Sequence, residues 1–119
     1  MNDIAIILSC YLVGSIPFGL VLSKVFKKDD PRNSGSKNIG ATNIYRLHGK
    51  WLGLITLICD FLKAFIPLLI IEIYVYELVV LGSISIFMGH IYPFWLKFKG
   101  GKGIAVFIGI LLKYSISLF

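Results

Sequence analysis

The fold class this sequence predicts is all-α: a polytopic integral membrane protein of four transmembrane helices. An ordered cytosolic loop with an interfacial helix joins spans 1 and 2. Three observations predict it. Of 119 residues, 57% are hydrophobic, and mean hydropathy is +0.86, which is too apolar for a soluble domain of this size. The apolar residues gather into stretches of about 20, the length an α-helix needs to cross ~30 Å of hydrocarbon. The basic residues gather between those stretches.

The first span is placed at about 4–26, and its Ile4–Ser23 core carries no charge. It has no basic leader, and Lys24, Lys27, Lys28 and Arg32 follow it, so it reads as a span rather than a cleaved signal. Gly14 and Pro17 should bend it. The second span, about 51–75, holds Asp60 and Lys63 at i, i+3. Charges there are costly in lipid, and a structural ion pair is the favoured reading over a relay role. Pro67 should bend this helix too. The third span is placed at about 78–96 and the fourth at about 103–119, broken only by Lys113. Lys113 would reach outward.

Between them lie two connecting segments, 27–50 and 97–102. Seven Lys and Arg fall in 24–50 and three in 97–102. The positive-inside rule then puts both segments in the cytosol and the N-terminus outside. The same rule accounts for most of the net charge of +6, and no nucleic-acid partner is expected. Cys10 and Cys59 fall inside spans and read as packing residues. His48 and His90 have no ligand cluster near them, so no metal site is expected.

The segment 27–50 reads KKDDPRNSGSKNIGATNIYRLHGK. A short helix from Asn38 would put Asn38, Thr42 and Arg46 on one face, with Asn43 beside them. Amide, hydroxyl and guanidinium together suit a hydroxylated anion. An ordinary amphipathic surface helix capped by Ser36 is an equally open reading. In the second segment, Gly100-Gly101-Lys102-Gly103 precedes the fourth span. Consecutive glycine amides can form an anion nest there, backed by the helix N-terminus and the Lys102 charge. A tight turn with Lys102 marking the inner side is the plain alternative. The loop is not a Walker A motif, because Gly103 follows Gly-Lys.

Four blocks occur in one order: GSIPFG (14–19), GSKNIGATNIYR (35–46), DFLK (60–63) and GHIYPFWLKFKGGKGIA (89–105). In them the chain resembles the PlsY family, the bacterial acyl-phosphate:glycerol-3-phosphate acyltransferases, over almost its whole length. The resemblance implies acyl transfer from acyl-phosphate to the 1-hydroxyl of sn-glycerol 3-phosphate, giving lysophosphatidate and phosphate, with no cofactor. It implies catalytic roles for Ser36, Arg46 and Lys102. It also implies a substrate site lined by Asn38, Thr42, Asn43, Gly100, Gly101 and Gly103. The implied location is the bacterial inner membrane, with glycerol 3-phosphate, acyl-phosphate and membrane lipids as partners. Lys37, Ala64 and Val106 stand where Gly, Gly and Thr are usual in the family.

Family members are longer. Residues 1–119 are therefore expected to be a single but incomplete membrane domain, the N-terminal part of a larger helical bundle, with a missing C-terminal half as a further partner. A non-catalytic remnant or split-enzyme fragment is one alternative, separated by assaying acyl transfer with the remaining half supplied. A small four-span oligomeric transporter is another, separated by uptake into vesicles without acyl transfer.

Overall fold

The computed structural model describes residues 2–117; the last two residues of the expected fourth span lie outside the described residues. The regular elements among the described residues are all helical, with no strand. The helices are α1 (Asp3–Gly14), α2 (Phe18–Val25), α3 (Ala41–His48), α4 (Lys50–Tyr74), α5 (Val79–Ile91) and α6 (Ile104–Ser117). Short 3₁₀ turns fall at Pro31–Asn33, Tyr76–Leu78 and Phe94–Leu96.

Helix α1 starts on Asn2, whose side-chain oxygen accepts from the Ala5 amide at 2.8 Å, a standard N-cap. The chain then bends by 50° between α1 and α2, at the place where Gly14 and Pro17 were expected to bend it. Proline cannot continue the helical ladder, so the carbonyls before it lose their partners. Side chains from elsewhere reach the break: Trp95 Nε1 donates to the Ser15 carbonyl at 2.8 Å, and Lys63 Nζ donates at 2.8 Å to Ile16 O, which also keeps the Phe18 amide at 3.1 Å. Irregular backbone at this depth is tolerable only with such partners.

Packing relies on small residues. A Cβ on Gly14 would strike the Ile86 backbone, and one on Gly89 would strike the Tyr11 carbonyl, so α1 and α5 touch backbone to backbone. Gly109 does the same for α6 against Phe61 of α4, where an added Cβ would sit 2.7 Å from the Phe61 oxygen. Cys10, Ala64, Leu68, Ile71, Leu78, Val79, Ile86 and Val106 form the buried core. Large apolar residues such as Ile4, Ile73, Val80, Ile104 and Phe107 remain exposed on the outer helix faces, a surface suited to hydrocarbon rather than water.

Lys50–Tyr74 and Tyr76–Leu96 are long and apolar enough to cross a membrane, and α1 with α2 makes a third such segment if the bent pair counts as one. Helix α4 runs through Pro67 without ending. Helix α6 has 14 described residues. One expectation needs correction here. Lys113 does not reach outward: it is 1% exposed and its Nζ lies 3.3 Å from Glu72 Oε1 on α4. A buried ammonium requires a counter-charge, and the α4–α6 contact supplies one.

Candidate active site

The connecting segment before α3 is organised around one amide. Asn43 is 1% exposed. Its oxygen accepts from the Ser36 amide at 3.1 Å, and its nitrogen donates to the carbonyls of Pro31 at 3.0 Å and Asn38 at 2.8 Å. Both donors and the acceptor are therefore committed inside the loop. Ile44, fully buried, and Ile39 anchor the same segment against α2, where Gly19 allows the Ile39 carbonyl to approach. At the outer edge Arg32 pairs with Asp30 through Nη2–Oδ2 at 2.6 Å. The guanidinium holds the Asp30 carboxyl below the usual carboxylate range.

Helix α3 begins at Ala41, three residues later than a start at Asn38. The reason is local. Asn38 Oδ1 accepts from the Gly40 amide at 2.8 Å, an Asx-type turn that competes with helix, and Gly40 is extended at φ −78°, ψ 171°. Ser36 therefore does not cap α3; its Oγ is 3.4 Å from the Asn38 amide. Only Thr42 and Arg46 share the helix face. Asn38 and Ser36 reach the same space from the loop.

The glycine-rich segment also differs from the expected four-residue nest. The Gly100 amide donates to Ile91 O at 2.9 Å and the Gly101 amide to His90 O at 3.1 Å. These two glycines close the end of α5 and offer no free N–H to a ligand. A Cβ on Gly100 would strike both carbonyls. The part that lines the cleft begins at Lys102. Gly103 has φ +86°, and a Cβ there would lie 2.8 Å from the Phe87 ring, so glycine is required on both counts. Among the described residues the amides of Lys102, Gly103, Ile104 and Ala105 have no acceptor, as the first turn of a helix leaves them.

The two segments meet. Ser36, Asn38, Thr42, Asn43, Arg46, Lys102 and Gly103 line one cleft of about 310 Å³. Arg46 and Lys102 both lie exposed along it, and among the described residues neither pairs with a carboxylate. Two cations, a helix N-terminus and several neutral donors thus converge, an arrangement whose electrostatics favour an anion. Gly100 and Gly101 stay outside the lining.

Sequence reasoning missed the cleft's floor. Asp60 and His90 line it too. The expected Asp60–Lys63 pair is present at 3.2 Å, with both side chains almost wholly buried. Lys63 also reaches His90 Nδ1 at 2.9 Å. The available signal was the position of His90 at the end of a span that leads into the glycine segment. Among the described residues no three His, Cys, Asp or Glu side chains gather as metal ligands.

Fold and site together define a helical membrane protein whose two connecting segments share one cleft. The comparisons with known proteins are specific. The family described as glycerol-3-phosphate acyltransferase matches residues 4–119, and the chain belongs to that family. It is 49% identical to the glycerol-3-phosphate acyltransferase of Pelagibacter ubique over 119 residues, all of this chain and 61% of that one. It is 49% identical to the same-named protein of Syntrophotalea carbinolica over 116 residues, 92% of this chain and 57% of that one. Among solved structures it is similar to PlsY (YgiH), an integral membrane glycerol 3-phosphate acyltransferase, in its glycerol 3-phosphate form: TM-score 0.89, 40% identity, 97% of this chain and 58% of that one. The lysophosphatidic acid form gives a TM-score of 0.86 at 38% identity. The chain spans about 60% of the length of the relatives it matches.

Proposed function

We propose that the cleft binds glycerol 3-phosphate and acyl-phosphate, and that the chain takes part in acyl transfer to the 1-hydroxyl of glycerol 3-phosphate. One observation carries the reading: Arg46 and Lys102, from two separate connecting segments, line one cleft together with the first residues of α6. Both substrates bear phosphate. Two cations hold them side by side and offset their repulsion.

The reaction needs little from the protein beyond position and charge. The glycerol hydroxyl oxygen attacks the acyl carbonyl carbon, and that C–O bond forms. The acyl carbon–phosphate oxygen bond breaks, and the departing phosphate takes the hydroxyl proton. Arg46, Lys102 and the α6 amides stabilise the charge that builds on phosphate. Ser36, Asn38 and Thr42 supply neutral hydrogen bonds to the glycerol. Ser36 has no neighbouring base that would make it a nucleophile; its oxygen faces the Asn38 amide. Asn43 acts one step back, holding Ser36 and Asn38 in place. Gly103 admits the backbone to the anion, while Gly100 and Gly101 fix the turn.

In the membrane we place α1–α2, α4, α5 and α6 as four spans, the N-terminus outside and the cleft at the cytosolic face of the bacterial inner membrane. The distribution of Lys and Arg supports this. The Glu72 partner of Lys113 removes the one exception on the outer side. The test uses purified chain in vesicles with acyl-phosphate and radiolabelled glycerol 3-phosphate, alone and with the remaining part of a full-length relative co-expressed. Lysophosphatidate and phosphate released in equal amounts, in either arm, support the proposal. Transfer in neither arm refutes it.

A further inference from the structure

The floor of the cleft carries a polar arrangement that the proposed chemistry leaves unused. Lys63 Nζ sits 2.8 Å from the Ile16 carbonyl, 2.9 Å from His90 Nδ1 and 3.2 Å from Asp60 Oδ1. An ammonium has three hydrogens and accepts nothing. Two of them point at the Ile16 carbonyl and His90 Nδ1, while Asp60 faces the ammonium as its counter-charge. Nδ1 of His90 is therefore the acceptor, and the ring's own proton belongs on Nε2. The His90 side chain is 5% exposed and lines the cleft. Among the described residues its Nε2 makes no hydrogen bond. A Cβ on Gly101 would lie 2.5 Å from Nε2, so glycine keeps that ring edge open.

We propose that Lys63, steadied by Asp60, holds His90 as the Nε2–H tautomer, and that His90 thereby donates a hydrogen bond to a phosphate oxygen in the cleft. Lys63 and Asp60 are positioning residues; His90 is the group that touches the ligand. The same geometry excludes His90 as a base, because Nδ1 faces an ammonium and Nε2 already carries hydrogen. The inference rests on the phosphate-binding reading of the cleft.

The tautomer is read by ¹⁵N NMR of histidine-labelled protein in detergent, in a His48→Gln background. His48 lies outside the cleft, against the Asp29 carbonyl. Nδ1 without hydrogen and Nε2 with it are expected, and inorganic phosphate or glycerol 3-phosphate should move the Nε2–H signal. His90→Leu should weaken phosphate binding on the order of tenfold. The paired variant Asp60→Asn/Lys63→Met, which leaves no lone buried charge, should weaken it likewise and blur the tautomer preference. A proton on Nδ1, or phosphate that shifts the Lys102 and Gly103 amides while His90 stays unmoved, overturns the inference alone. No phosphate binding at all overturns the cleft reading with it.

Discussion

The buried Asp60–Lys63 pair gives the sharpest stability prediction. Lys63→Met keeps the length of the side chain but removes the charge and the hydrogen bonds to the Ile16 carbonyl and His90 Nδ1. It leaves Asp60 as an uncompensated carboxylate at 4% side-chain exposure. Removing one partner of such a pair costs about 3–5 kcal/mol. Asp60→Asn costs less, about 2 kcal/mol, because Lys63 keeps the Ile16 carbonyl and His90 Nδ1 as acceptors. The double change removes both charges together and should cost only ~1–2 kcal/mol. The two single effects together therefore exceed the double by about 3 kcal/mol or more. Reversible unfolding in mixed micelles, run on all four proteins, measures this coupling. Single effects that simply add, within about 0.5 kcal/mol, would refute the account of a mutually dependent pair.

The remaining predictions concern the cleft. Arg46→Ala and Lys102→Ala should each lower acyl-phosphate-dependent kcat/KM by about 2–4 kcal/mol, some hundredfold. Lys99→Ala, which does not line the cleft, should leave it unchanged; equal rates for all three variants would contradict the assignment. Gly103→Ala meets both a left-handed backbone and the Phe87 ring. It should destabilise by about 1–3 kcal/mol and weaken phosphate binding, read by thermal unfolding and phosphate titration. Asn43→Ala removes the staple between Pro31, Ser36 and Asn38. Faster proteolysis within residues 32–40 is expected, with the helices intact by circular dichroism. The Arg32–Asp30 pair is half-exposed and worth at most ~0.5 kcal/mol. Because the Asp30 carboxyl is depressed, that small stabilisation is present above its ordinary range near pH 4 and fades as pH falls further. Unfolding midpoints of Asp30→Asn and the parent should therefore converge in acid.

Much of this architecture could be read in advance because its causes are local. Hydropathy marks the apolar helices, proline marks the bend at 14–17, and i, i+3 spacing brings Asp60 to Lys63. Arg46 and Lys102 were expected to converge from two connecting segments, and one cleft holds both. What could not be read depends on contacts distant in sequence. The Glu72 partner of Lys113 needs α4 packed on α6. The inward turn of the Gly100 and Gly101 amides needs the carbonyl end of α5. The commitment of Asn43 to its own loop needs the Pro31 and Asn38 carbonyls folded around it. The Lys63 contact to His90 Nδ1 needs α4 packed beside the end of α5.

The break after α1 has a reach beyond its own three residues. Two carbonyls at the break are held by side chains from elsewhere, Ser15 by the indole that precedes the glycine segment and Ile16, beside its Phe18 amide partner, by the Lys63 ammonium. The discontinuity is thus a common hook from which the floor and the second wall of the cleft both hang. A continuous helix at 14–18 would close those carbonyls into its own ladder, and the two would come loose together. The weakest-looking stretch of the first span is the one that sets the alignment of the rest.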